Sequence, residues 1–157
     1  MEIKVVPFRE CDIDAVYAIQ RAAYRPLYEK YRDDGSNPYT ESRETVLHKY
    51  TRKGTAGYLF LAGGEAAGAV RVRLDAGAKT ARISALCVLP HLQGQGIAQK
   101  ALLEIERLHP EIKTWRLDTI LEEPGNCHLY EKLGYQKTGR TEPIQENMTL
   151  VYYEKKR

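Results

Sequence analysis

Gln93-Gly94-Gln95-Gly96-Ile97-Ala98 carries the clearest chemical instruction in this chain. It follows a strand-like run from Ala81 to Leu89 and opens a helix-like run from Ala98 to Leu108. Glycine lets a backbone approach an anion closely, and a helix start presents unpaired N–H groups at the positive end of its dipole. Strand, glycine loop and helix in that order are suited to holding phosphate. Two phosphate motifs are excluded. A dinucleotide fingerprint, Gly-x-Gly-x-x-Gly, needs a third glycine where this chain has Gln99. A P-loop needs Gly-Lys-Ser/Thr, and Lys100-Ala101 follows no glycine.

The elements that must position this loop can be read on either side of it. Glu2 to Phe8 predicts a first strand, and Asp12 an N-cap for a helix with Ile13, Val16, Tyr17, Ile19, Gln20 and Ala23 in helical spacing. Pro26 is expected to interrupt that helix, ahead of the turn residues Asp33 to Pro38. Thr40 is a candidate cap for a second helix running to about Arg52. Gly57–Ala62 and Ala66–Leu74 flank Gly63-Gly64-Glu65 as a hairpin, and a strand follows from Ala78 or Lys79 to Leu89. The helix after the loop should bury Ile97, Ala101, Ile105 and Leu108 and end at Pro110. A strand from Lys113 to Leu121, a short helix opened by Pro124-Gly125 and closed by Gly134, and strands at Tyr135–Arg140 and Asn147–Tyr153 complete the chain. Only the middle part alternates strand with helix, which predicts a mixed sheet rather than a doubly wound one.

At 157 residues, with 43% hydrophobic and 29% charged residues, the chain is expected to be one soluble globular domain spanning 1–157. A net charge of +3 is too small to argue for nucleic acid, and Lys155-Lys156-Arg157 reads as a solvated end. Cys11, Cys87 and Cys127 are odd in number and lack a CxxC pair, so neither a disulfide framework nor a metal site is indicated. The sequence from Met1 to Glu10 has no long apolar segment, and no run of about 18 apolar residues occurs, so a membrane is not expected and the reduced cytoplasm is the default location.

Gln93, Gly96 and Ala98 fit the pattern Gln/Arg-x-x-Gly-x-Gly/Ala, and Leu129-Tyr130-Glu131-Lys132-Leu133-Gly134-Tyr135 lies downstream. This pair of segments, and the order of elements over nearly the whole chain, resembles the GNAT N-acetyltransferase superfamily. The resemblance implies an α/β fold with a mixed, mostly antiparallel seven-stranded sheet, about four helices, and a split between two strands that admits the cofactor. It implies acetyl transfer from acetyl-CoA to a primary amine by direct attack in a ternary complex. The loop amides of Gln93, Gly94, Gln95, Gly96, Ile97 and Ala98 would hold the pyrophosphate, and the strand edge from Leu86 to Val88 the pantetheine arm. The Leu86 backbone amide would polarise the thioester, a contribution of roughly 2.7–4 kcal/mol per donor in other enzymes. Tyr130 occupies the place of the tyrosine that protonates the departing thiolate, and a phenol near pKa 10 can serve as that acid. The same side chain also fits simple packing beside Leu129 and Leu133.

The chain departs from the family pattern in two places. The asparagine that often contacts CoA is replaced by Glu123, while Asn126, four residues before Tyr130, either contacts the pantetheine or caps its helix. No general base stands out: the position some relatives use is Arg82, and Asp118, Glu122, Glu123, Glu41 and Asp75 are candidates by location alone. The first two helices should select the acceptor. Tyr24, Tyr28, Tyr31, Tyr39 and Tyr50, with Glu29, Asp33, Asp34, Glu41 and Glu44, would suit a cationic amine. Arg71, Arg73 and Arg82 alternate with Val70, Val72 and Ile83 and read as one polar sheet face needing no ligand. Cys87 and His128 read as a buried small residue and a surface residue. A small-molecule amine is favoured over a protein, in a monomer or homodimer. An idle acyl-CoA-binding module, a protein-amine acetyltransferase and a purely structural role are the other readings.

Overall fold

The computed structural model of the chain describes residues 2–157. Apolar alternation and glycine turns produce the elements in the order β1 (Ile3–Pro7), α1 (Ile13–Tyr31), α2 (Arg43–Thr51), β2 (Thr55–Ala62), β3 (Glu65–Asp75), β4 (Thr80–Val88), α3 (Ile97–Leu108), β5 (Thr114–Ile120), α4 (Pro124–Lys132), β6 (Gln136–Gln145) and β7 (Met148–Lys156). The strands form one seven-stranded sheet ordered β1-β2-β3-β4-β5-β7-β6. All neighbours are antiparallel except β4 and β5. That parallel pair is in register only at Thr80, Ala81 and Arg82, so β4 and β5 splay apart beyond Arg82, the split that the family resemblance implied.

Each face of the sheet has its own apolar cover. On one face α3 and α4 pack Ile97, Ala101, Leu102, Ile105, Cys127 and Tyr130 against strand residues such as Phe60, Val72, Trp115 and Tyr153. On the other, α1 lays Ile13, Val16 and Ile19 on Leu59, Ala69 and Cys87 with Val46 and Tyr50 of α2. Farther along, α1 sets Tyr31 and Leu27 on Ile120, Met148, Ile144 and Leu150. It thus crosses from the β2–β3 side of the sheet to the β5–β7 side, over the splay. No helix among the described residues is long and apolar enough to cross a membrane.

Several expectations change. Pro26 does not interrupt α1, which continues to Tyr31. An interior proline costs about 3 kcal/mol, and the burial of Tyr31 with Leu27 at the far end supplies the opposing packing. Asp12 makes no side-chain cap of α1; its carboxylate accepts from Arg9 N at 2.9 Å. Ser42 caps α2 through Thr45 N at 3.1 Å, whereas Thr40 lies in a single 3-10 turn before it. In α3 the buried stripe takes Leu102 and Glu106, and Leu108 is 42% exposed. Glu106 is tolerated there because Lys155 Nζ reaches it at 2.8 Å. The basic tail is accordingly not a solvated end: Lys155 holds Glu106, and Arg157 donates to the carbonyls of Glu106, His109 and Ile112.

Candidate active site

The loop after β4 is a cradle of unengaged donors. A single 3-10 turn, Pro90–Leu92, leads into Gln93, and the amides from Gly94 to Gln99 donate to no described group. Gly94 and Gly96 have φ of +79° and +80°, a left-handed conformation that only glycine adopts without strain. A Cβ at either would meet nothing within 4 Å, so the glycines serve backbone direction and leave the space above the loop clear. Gln93 braces the loop, its Nε2 donating to Val88 O at 3.0 Å, and Gln95 Nε2 lies 3.5 Å from His91 O. Six consecutive free amides at the start of a helix match two linked phosphates in donor number and polarity.

The open edge of β4 leads away from this loop. Beyond Arg82, β4 pairs only with β3, and the pairing is irregular. Ala69 faces Cys87 and Arg71 faces Ser84, leaving Val70 opposite both Ala85 and Leu86. This is a β-bulge, and Ala85 takes φ of +52°, a conformation alanine adopts only at a cost. The bulge turns Leu86 toward the splay. Its carbonyl accepts the Tyr24 hydroxyl at 2.7 Å, as Val88 O accepts Gln93, so both residues direct their polar groups away from β3. Cys87 points the other way, into the packing under α1. Burial pushes its thiol up to about 12, with Ala69 O and Arg71 opposing weakly, as a small apolar residue behaves.

Tyr130 reaches the same cleft from α4. Gly134, at φ +95°, closes that helix; Tyr135 N bonds Tyr130 O at 3.0 Å and Gly134 N bonds Glu131 O at 3.1 Å. The Tyr130 ring packs edge-on to Tyr135 at 6.1 Å, and its hydroxyl makes no hydrogen bond to a described residue. Burial above all, then the nearby Asp118 and Cys127, raises its pKa well above the usual phenol value. Burial likewise holds the Tyr24 proton, with Cys87, Tyr130 and Tyr50 adding to it and Arg71 opposing.

The carboxylates of the region are engaged by neighbours. Glu123, by backbone position the N-cap of α4, accepts Lys30 Nζ and the Tyr31 hydroxyl, both at 2.6 Å. Asp118 pairs with Arg82, Glu122 accepts Thr149 N and Oγ1, and Asp75 accepts Ala78 N. Glu41 holds Gln20 and Lys49, Asp34 holds Tyr28, Asp33 holds Ser36 and Asn37, and Glu29 holds Arg25. The first two helices therefore use most of their acids to fix their own connection. Asn126 is half-buried in the first turn of α4 and does not cap it, since that helix has no side-chain cap bond. His128 is exposed.

Tyr24 links part of the expected set, bonding Leu86 O and lying near enough to Tyr130 to feel its charge, while Gln93 ties the loop to Val88. The Tyr24–Leu86 bond and the bulge at Ala85 were not anticipated. The position of Tyr24 in the first helix predicts a place near the acceptor, but neither the spacing nor the residue types in β4 signal a bulge.

The acetyltransferase (GNAT) family profile matches residues 21–135, most of the chain, and the protein belongs to that family. No curated protein sequence matches the chain. Among solved structures, the ribosomal-protein-S18-alanine N-acetyltransferase of Escherichia coli superposes with a TM-score of 0.79 at 15% identity, over 99% of this chain and 94% of that one. The PaiA N-acetyltransferase of Thermoplasma acidophilum, solved with coenzyme A, gives 0.77 at 19% identity over all of both chains. The spermidine N-acetyltransferase of Vibrio cholerae, solved with CoA and spermine, gives 0.77 at 16% identity over 97% and 94%. These likenesses establish the fold, a seven-stranded GNAT sheet with four α-helices.

Proposed function

We propose that this protein transfers the acetyl group of acetyl-CoA to a small primary amine bound under α1, by direct attack within a ternary complex. The observation that carries this reading is the run of six free amides from Gly94 to Gln99, next to the unpaired edge of β4. The amides take the pyrophosphate, and the outward backbone of Val88 and Leu86 pairs with the pantetheine as an added strand would. The half-buried Asn126, in the first turn of α4, supplies a further contact to the pantetheine in this reading. CoA-bound relatives of the same fold support the choice of cosubstrate.

The Leu86 amide polarises the thioester carbonyl while the neutral amine forms the new C–N bond. As the C–S bond breaks, Tyr130 gives its proton to the sulfur. A phenol whose pKa lies above the ordinary value is fully protonated at neutral pH, so the acid is always loaded. The nitrogen's own proton leaves to water, and water returns a proton to the Tyr130 phenolate to close the cycle. Every carboxylate considered as a base already has a protein partner, and the mechanism uses none of them.

Thiol release from acetyl-CoA with a panel of amines tests the reading. Tyr130→Phe should lower kcat by about 10²-fold or more while CoA still raises the melting temperature. An idle binding module would show the same CoA stabilisation and no thiol release with any amine. A protein that neither binds CoA nor releases thiol would end the proposal.

A further inference from the structure

Three arginines on the face beneath α1 and α2 form a row across adjacent strands, Arg73 opposite Arg82 and Arg82 opposite Arg116. Each is occupied. Arg73 donates to Lys53 O at 3.0 Å and Thr55 Oγ1 at 2.9 Å, Arg82 pairs with Asp118, and Arg116 lies 3.8 Å from Glu154. Arg71, on the same face of β3, is different. It is 7% exposed, yet its guanidinium has no hydrogen bond or ion pair with any described residue. None of its nitrogens is among the fully sealed, unpartnered atoms, so the little exposure it keeps includes its charged end. A guanidinium in that state is costly unless something of opposite charge meets it.

The surroundings point the same way. Arg71 lies opposite Ser84 on β4, at the foot of the bulge that presents Leu86, and opposite Gly57 on β2. The Tyr50 ring lies directly on Gly57, where an added Cβ would stand 2.6 Å from Cδ2. The Tyr50 hydroxyl and Arg52 Nε are both buried without a partner among the described residues. Arg71 is close enough to act on Tyr24, Tyr50 and Arg52 electrostatically, and Arg52 is held below its usual range by burial first and then by Arg73 and Arg71. Arg71 thus sits opposite a residue two places, roughly 7 Å along the strand, before Leu86, with unpartnered donors of α2 and its end beside it. The acids that might have neutralised them are held elsewhere: Glu41 by Lys49 and Gln20, Asp118 by Arg82.

We infer that the acceptor amine carries an oxyanion, a carboxylate or a group of like chemistry, which Arg71 binds while the amine addresses the thioester at Leu86. The planar fork of a guanidinium takes such a group in two parallel bonds, which an ammonium cannot do. The cationic amine suggested by the residue types of the first two helices is thereby narrowed to an amino-acid-like one. This inference rests on the acetyl-transfer reading above.

The test compares alanine, β-alanine, 4-aminobutyrate and 1-aminoethylphosphonate with ethylamine, propylamine and spermidine in the thiol-release assay. At least one oxyanion-bearing amine should exceed its uncharged counterpart in kcat/KM by about tenfold or more, the discrimination of one charge-assisted hydrogen bond. The carboxylate and phosphonate arms identify which oxyanion is taken. Arg71→Met should abolish that preference and Arg71→Lys should restore part of it, with CoA-dependent thermal stabilisation retained in both. Equal or better turnover of spermidine and the uncharged amines overturns the inference and leaves acetyl transfer standing. If Arg71→Met does not fold, Arg71→Lys and the wild-type preference decide the matter. Should wild type release no thiol, the acetyl-transfer reading fails. The subsite is then judged by thermal shift with CoA and each amine, where no stabilisation by the oxyanion-bearing compounds overturns it as well.

Discussion

Two tyrosines and one cysteine around the β4 bulge show how the same burial serves different ends. Tyr24 and Tyr130 both hold their protons more firmly than a free phenol, burial being the first cause in each. Tyr24 spends its hydroxyl on Leu86 O at 2.7 Å, which fixes the strained turn at Ala85. Tyr130 spends its hydroxyl on no described residue, which leaves it free for a ligand. Cys87, packed with Tyr24 under α1, has its thiol pushed up to about 12, so at pH 8 almost none of it is thiolate. Cys11 is exposed. Brief treatment of the native protein with iodoacetamide at pH 8 should label Cys11 and spare Cys87, as read by peptide mass spectrometry. Labelling of Cys87 at a rate near that of Cys11 would contradict the burial argued for the bulge.

The glycine loop and α3 act as one element, and substitution at Gly96 separates its two duties. A side chain at φ +80° costs about 1–2 kcal/mol in backbone strain. Because a Cβ there meets no protein atom within 4 Å, that strain is the main folding penalty. Gly96→Val should therefore melt only a few degrees lower, yet lose at least tenfold in CoA affinity, because its methyls occupy the space the phosphates need. Isothermal titration beside a thermal melt checks both, and unchanged CoA affinity would count against the cradle. This element was legible in sequence because its chemistry is local: glycine, helix start and preceding strand lie within one stretch. The Gly63-Gly64 turn and the Gly134 helix end were legible for the same reason. Features decided by distant partners were not. Pro26 is overruled by packing on Ile120 and Met148, Leu108 yields its buried place to a Glu106 matched by Lys155, and Arg71 is buried by helices some twenty or more residues before it. Residue types within β4 gave no hint of its bulge, since nothing in Ile83 to Val88 demands a positive φ.

At the scale of the molecule, the sheet is two leaves joined narrowly, and the cleft exists because the joint is narrow. β1 to β4 form one leaf and β5 to β7 the other, sharing register only at Thr80, Ala81 and Arg82. What keeps the open ends at a fixed distance is α1, with Ile13, Val16 and Ile19 on the first leaf and Tyr31 on the second. Glu123 reinforces this bridge by accepting Lys30 and Tyr31 from the end of α1 at the start of α4. Burial alone would raise the Glu123 carboxyl, but the bonds from Lys30 and Tyr31 outweigh it and hold its pKa below the ordinary value. A carboxyl depressed in the folded state contributes stability above its unfolded pKa, near 4.3, and loses it as pH falls through the lower folded value. Glu123→Gln should therefore lower the melting temperature at pH 7, by about 2–4 °C at most for a partly exposed pair, and the gap should close below about pH 4. A gap that stays constant from pH 7 to pH 3 would mean the clasp acts by shape rather than charge. Added salt should narrow it at pH 7 for the same reason that acid does, since Lys30 is largely exposed and its attraction to Glu123 is screened.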